Sequence, residues 1–252
     1  MNRKPAQTDL DLDLGLDLEH YLRGPVTISG NEGYPPLPPL SGLARALVPE
    51  AVAPALRRML TDLLRPWARR RAVALRGRCP LLLHLGSGRF PKDGWVNIDL
   101  VGVPVDLPWN LARGIPFPTA RADAVFHEHL LEHLSLAAGY RLLRECARVL
   151  KPGGVLRIGV PDVGAYLRSY AGMSDFIARL RPGRPTALLA VQEVFYHHGH
   201  QSAYDLETLQ LLCHGAGFVR VEQRPFGQSR LRPAPDSPHR RAETLYVEAV
   251  KP

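Results

Sequence analysis

The stretch LLLHLGSGRFPKDGWVNIDL, residues 81–100, decides the fold. An apolar run stops at Gly86-Ser87-Gly88, and a second short apolar run ends in Asp99. In open α/β sheets ligands sit outside the carboxyl ends of the strands, so a glycine turn followed by a strand-end acid points to a nucleotide-like ligand. The spacing excludes the two phosphate-cradling patterns. A dinucleotide fingerprint needs GxGxxG and an acid about 20 residues further on. Here Pro91 stands at the third glycine position and Asp99 comes 13 residues after Gly86. A P-loop needs a GK[ST] that this stretch lacks.

The surrounding chain supplies the context. From residue 80 onward, apolar runs at 81–85, 95–98, 122–126 and 154–161 read as strands. SLAAGYRLLRECARVL (135–150) reads as a helix with Ser135 as its N-cap and KPGG as its stop. YDLETLQLLCHGAG (204–217) reads as a second helix, capped by Asp205 and ended by Gly215 and Gly217. FVRVEQR and ETLYVEAV close the chain as two strands with no helical pattern between them, so they are expected to pair antiparallel at an edge. Strands alternating with helices imply a mostly parallel sheet with helices on both faces.

A ligand with no phosphate fits the turn better. S-adenosylmethionine has an amino acid end, a ribose and an adenine. Gly86 and Gly88 let the backbone approach the amino acid moiety, Asp99 can accept both ribose hydroxyls, and VDLP with Asp106 flanks the adenine. LHLGSG, GWVNIDL, VDLPWNL, IPFPTARADAVFHEHLLEHL and ECARVLKPGGVLRIGVPD together resemble the class I S-adenosylmethionine-dependent methyltransferases, in the methyltransferase type 11-like group. YDLETLQLLCHGAGFVRVE and LYVEAVKP resemble that family's last helix and strand pair. The resemblance implies an α/β, Rossmann-like, mostly parallel seven-stranded sheet with an antiparallel last strand. It implies S-adenosyl-L-methionine contacts at Gly86, Ser87, Gly88, Asp99, Asp106 and Leu107. It also places FHEH (126–129) at the end of the fourth strand, facing the methyl group. The sequence departs from the family at His84, where relatives often carry a small polar or acidic residue. It departs again at the 89–94 connection, which is too short for a usual crossover helix.

The remaining segments bound the function. Residues 1–42 read as disordered or extended, with alternating acid and leucine in DLDLDLGLDL and a proline-rich YPPLPPL. Residues 43–78 carry nine Arg against Glu50 and Asp62 and read as a basic helical extension broken at Pro49, Pro54 and Pro66. That extension either touches an anionic surface or packs with a solvated arginine face. The catalytic domain then spans 79–252. The net charge of +8 comes almost wholly from 28 Arg, which permits anionic partners. Three scattered cysteines without CxxC argue against a disulfide framework and fit a reducing, cytoplasmic setting. No run is apolar enough to span a membrane, and the N-terminus lacks the apolar core of a signal peptide.

The expected function is methyl transfer from S-adenosylmethionine to a small-molecule or glycan-type acceptor, as an O-methylation. Histidine suits proton removal near neutral pH, and the candidate bases are His129, His127 and His200. The alternative is a nucleic-acid methyltransferase, or a non-catalytic cofactor-fold module, using the Arg-rich 43–78 segment on phosphates. An aromatic content of 7% and the lack of an NPPY-type motif weigh against nucleic acid. HLLEH (129–133) matches the HxxEH pattern of inverted zinc peptidases, but it follows directly on a strand instead of lying inside a helix. FYHHGHQSAYD (195–205) reads as a substrate loop, a solvated loop or a metal site, and no metal is expected.

Overall fold

Seven strands form one sheet in the order β3-β2-β1-β4-β5-β7-β6. The computed structural model describes residues 52–252 together with Tyr21, so the readings of 1–51 otherwise fall outside the described residues. The strands are β1 (Leu82–Leu85), β2 (Val96–Asp99), β3 (Leu107–Pro108), β4 (Ala122–Glu128), β5 (Leu150–Pro161), β6 (Arg220–Gln223) and β7 (Thr244–Val250). β1 to β5 run parallel, and β7 lies between β5 and β6, antiparallel to both. This is the expected Rossmann-like sheet with its antiparallel last strand. The central strands read as nearly unbroken apolar runs because both their faces are covered. Leu83, Leu85, Val96, Ile98, Val125, Phe126, Leu156 and Ile158 are all buried.

The helices are α1 (Ala53–Leu63), α2 (Arg65–Leu75), α3 (Leu136–Val149), α4 (Val163–Tyr170), α5 (Phe176–Leu180), α6 (Ala187–Tyr196) and α7 (Leu206–Gly215). Ser135 accepts from the Ala138 N–H, and Asp205 from the Thr208 N–H, so both expected caps form. The α1–α2 break falls at Leu64, just before Pro66, which sits in the first turn of α2 and lacks the N–H an interior helical residue needs. Cys146 and Cys213 are buried on α3 and α7, whereas Cys79 is exposed.

Leu83, Leu85, Val125, Leu156 and Ile158 meet α2, α3 and α7 through Ala72, Leu75, Leu143, Cys146, Leu209 and Cys213. Among the described residues, the opposite face meets the 224–243 segment. There Ala124, Phe126 and Trp95 pack with Leu231 from the 224–243 segment. On the same side Arg157 of β5, 0% exposed, pairs with Asp236 from that segment: Nε to Oδ1 is 2.9 Å and Nη2 to Oδ2 is 2.7 Å. The Arg157 guanidinium also lies 3.7 Å from Glu248 of β7, while Ser229 and the Arg230 N–H donate to that carboxylate. A buried charge needs a partner, and the β6–β7 connection supplies it.

Helices α4 to α6 form a separate small cluster inserted after β5. Val163, Tyr166, Ile177, Leu180, Ala190, Val191 and Val194 are its core. Arg181 donates to the Tyr166 hydroxyl at 2.6 Å and to Glu193, which Arg184 also contacts. Tyr21 hydrogen-bonds Glu193 as well, tying one residue of the N-terminal segment to α6. Because α4 begins two residues past Pro161, this cluster sits at the carboxyl end of the sheet, the same end as the glycine turn.

Candidate functional site

The strand order reverses at β1, which pairs with β2 on one side and β4 on the other. Such a reversal opens a crevice above the carboxyl ends. Gly86, Ser87 and Gly88 turn the chain there. Gly86 and Gly88 have φ of +65° and +53°, where a side chain is strained. The two differ in what surrounds them. A Cβ on Gly86 would meet Leu130 Cδ1 at 2.7 Å, whereas a Cβ on Gly88 would meet nothing within 4 Å. Ser87 is 2% exposed, and its hydroxyl has no partner. An open space beside a strained glycine and an orphaned hydroxyl is the local chemistry of a cradle that a polar ligand completes.

Asp99 closes the other wall. Its Oδ2 accepts from the Gly88 N–H at 2.8 Å, and its Oδ1 from the Leu100 N–H at 2.6 Å. Arg57 of α1 lies 3.6 Å from Oδ1 and donates to the Val101 carbonyl at 2.7 Å. Thr61 of α1 accepts from the Val101 N–H at 3.0 Å. The basic helix is therefore docked against the loop that follows the acid. A carboxylate has about four acceptor positions, so Asp99 keeps capacity for two hydroxyls.

Asp106 and Leu107 lie at the start of the short β3. Leu107 is buried, and Asp106 Oδ2 accepts from both the backbone N–H and the side-chain amide of Asn97, at 2.8 and 2.9 Å. Asn97 is a residue that sequence reasoning missed. Its Oδ1 accepts from the Lys92 N–H at 2.8 Å and from His84 Nδ1 at 3.0 Å, and its amide donates to the Lys92 carbonyl. It thus ties the helix-free 89–94 connection to β1, β2 and β3. His84 lies against Phe126 with ring centroids 5.0 Å apart and the rings tilted by 32°, and burial pulls its pKa down to about 3, so it is a neutral member of this tie. The available signal was a lone amide inside the otherwise apolar run WVNIDL, since buried amides must be satisfied.

The three histidines fall in different surroundings. His127, on β4 beside Leu85 and Ile158, is enclosed with both ring nitrogens unpartnered, and burial pulls its pKa down to about 3. His129 follows β4 at φ +51°, a conformation uncommon outside glycine. Its Nε2 meets the Thr244 hydroxyl at 2.8 Å, and its Nδ1 lies 3.2 Å from Glu132. Burial pulls the pKa of His129 down to about 3 as well, so the ring is neutral. His200 approaches from the loop after α6, with Nδ1 donating to the Val194 carbonyl at 2.6 Å. Its neighbours are His133, at 5.0 Å between ring centroids, and Glu132. The structure therefore brings His129 and His200 around Glu132 and leaves His127 sealed in the sheet.

Residues 102–158, from the loop after β2 to most of β5, match a family model described as a methyltransferase domain. No curated protein matches the chain. Several solved structures are similar to it. An S-adenosylmethionine-dependent methyltransferase from Archaeoglobus fulgidus is 15% identical, with a TM-score of 0.45 over 77% of this chain and 94% of that one. Another from Mesorhizobium loti is 16% identical, with a TM-score of 0.41 over 68% and 90% of the two chains. Phosphoethanolamine N-methyltransferase 2 from Haemonchus contortus, in complex with S-adenosyl-L-methionine, is 13% identical, with a TM-score of 0.40 over 73% and 52%. No described helix is long and apolar enough to cross a membrane.

Proposed function

We propose that this protein is an S-adenosylmethionine-dependent methyltransferase that passes the methyl group to a hydroxyl of a small-molecule or glycan-type acceptor. The observation that carries the reading is the open space in front of Gly88, walled by an acid that its own N–H already orients. When bound, the cofactor supplies a sulfonium methyl that is already activated for displacement, so the protein contributes alignment, exclusion of water and proton handling.

Gly86, Ser87 and Gly88 would hold the amino acid end, with the Ser87 hydroxyl gaining the partner it lacks. Asp99 would accept the ribose hydroxyls, and Asp106 and Leu107 would line the adenine side. Arg57 and Thr61 hold the 100–101 backbone and so fix the direction of the Asp99 carboxylate. On the acceptor side, His129 Nε2 is placed to accept a hydrogen bond from an acceptor hydroxyl, and its weakly basic ring would take the proton only as the methyl–oxygen bond forms and makes that proton acidic. Glu132 Oε1 lies 3.2 Å from Nδ1. A hydroxyl, that of Thr244, already sits on Nε2 at 2.8 Å, which is the geometry an acceptor hydroxyl would need. The α4–α6 cluster would roof the crevice, and its sequence sets which acceptor fits.

The test is transfer of labelled methyl from S-adenosylmethionine to a panel of polyhydroxylated and phenolic acceptors. His129→Ala is expected to keep cofactor binding and lose on the order of 100-fold or more in turnover, the usual weight of a general base. Full turnover by His129→Ala would remove this residue from the mechanism. Methylation confined to amines would remove the hydroxyl acceptor.

A further inference from the structure

A second cluster lies next to the proposed acceptor side and has no part in holding the cofactor. Glu132, His133 and His200 each offer one ligand atom, and these atoms all lie within 4.8 Å of one another. Glu132 is 1% exposed, yet neither of its oxygens hydrogen-bonds to another residue. Buried polar groups are ordinarily hydrogen-bonded, so a buried carboxyl group with both oxygens unpartnered asks for a ligand. His129 Nδ1 lies 3.2 Å from Glu132 Oε1.

The histidines are arranged as ligands rather than as counter-ions. Nδ1 of His200 donates to the Val194 carbonyl at 2.6 Å, which fixes the tautomer and leaves Nε2 with its lone pair free. Metal-binding histidines ordinarily anchor their second nitrogen in this way. The segment carrying His200 is also stapled to the turn carrying Glu132 and His133. The N–H groups of Gln201 and Ser202 donate to the Glu132 carbonyl, at 2.7 and 3.2 Å. The Gln201 amide donates to the His133 carbonyl at 2.8 Å, and the Ser202 hydroxyl donates to the Leu134 carbonyl at 2.9 Å. Two chain segments about 70 residues apart are thus locked with their donor atoms converging. His133 and His200 retain partial exposure, which gives an ion a way in.

We propose that Glu132, His133 and His200 form a binding site for a divalent transition-metal ion of the zinc class. Two imidazoles and one carboxylate are a donor set for zinc, and three protein ligands leave a coordination position open for water or an acceptor oxygen. Hard ions such as magnesium prefer oxygen ligands throughout and suit this set poorly. Tetrahedral ligand distances of about 2.0–2.2 Å put donor atoms about 3.4 Å apart, so a pair standing near the 4.8 Å limit would have to draw closer. The HxxEH pattern is thereby used differently from a zinc peptidase. Its Glu132 and His133 bind, and the third ligand comes from the histidine-rich loop.

The inference does not depend on the methyl-transfer reading, because its readout is the ion itself. The full chain, purified without a histidine tag and stripped with a chelator, is titrated with Zn²⁺ against a chromophoric competitor, and the retained metal is measured after desalting. One equivalent is expected for wild type, with a rise in melting temperature. His200→Ala and Glu132→Gln should each weaken binding by on the order of 100-fold, while circular dichroism shows them folded. Cobalt substitution should give the visible absorption of a low-coordinate site in wild type only. His197→Ala, in the same loop but outside the cluster, should leave affinity unchanged. Wild type that retains no metal overturns the proposal. So does binding that survives His200→Ala and disappears with His197→Ala.

Discussion

Gly88→Ala and Gly86→Ala differ in sequence by two positions and in the structure by what stands in front of them. Both put a side chain at positive φ, +53° and +65°, which costs about 1–2 kcal/mol for an L-residue. For a chain of this size that is a fall in melting temperature of roughly 2–4 °C per kcal/mol. The new methyl at 86 adds an overlap with Leu130 Cδ1 at 2.7 Å, so Leu130 must move and the folding cost rises further. The methyl at 88 meets nothing within 4 Å, so folding bears the strain alone. If the open space is the cradle for the amino acid end of the cofactor, that methyl occupies ligand volume instead. Cofactor affinity should then fall by at least about tenfold, or 1.4 kcal/mol. The assay pairs thermal denaturation with calorimetric titration of S-adenosylmethionine into both variants. Gly88→Ala should be the milder variant in stability and a clearly impaired one in binding. A Gly88→Ala protein that binds as tightly as wild type would refute the placement of the ligand beside this residue.

Other outcomes follow from the packing around the site. Asp236→Ala removes the main ion-pair partner of the fully buried Arg157 and leaves the Glu248 carboxylate at 3.7 Å, the Pro225 carbonyl at 3.2 Å and the Tyr246 ring, so urea denaturation should show a loss of about 3 kcal/mol. A loss under about 1 kcal/mol would mean that the 224–243 segment does not hold this face of the sheet. Glu145 accepts from Arg148 and from the Ile115 N–H, and chiefly the Arg148 hydrogen bond lowers its pKa from 4.5. A lowered folded pKa gives stability that is present above the unfolded value and lost as pH falls through the folded one. The gap between wild type and Glu145→Gln should therefore be widest, about 1 kcal/mol after allowance for partial exposure, near neutral pH. It should close below pH 4.5; a gap that stays constant to pH 3 would contradict the ion-pair account.

Local patterns carried the architecture. Apolar runs gave the strands, and the caps Ser135 and Asp205 sit one residue before helices whose apolar periodicity was already clear. The Gly86–Gly88 turn was legible because glycine spacing and strand ends are both local features. What stayed hidden depends on pairs distant in sequence. Arg157 and Asp236 are 79 residues apart, and neither predicts the other. That pair fixes the 224–243 segment on the sheet. Asn97 organises the short 89–94 connection through His84 and Asp106, contacts that only the assembled sheet creates. Arg57 read as one of nine basic residues facing solvent or an anion, yet it is bonded to the Val101 carbonyl. The histidine-rich loop gave no chemistry by itself, because Glu132 joins it only through the staple at 200–202.

The most direct test of the central claim is calorimetric titration of S-adenosylmethionine into wild type and Asp99→Ala. The site predicts one binding event for wild type. Loss of two hydrogen bonds to a charged acceptor should weaken Asp99→Ala by on the order of 100-fold, in a protein that still folds. Absence of binding by wild type, or equal affinity in the two proteins, would contradict the account.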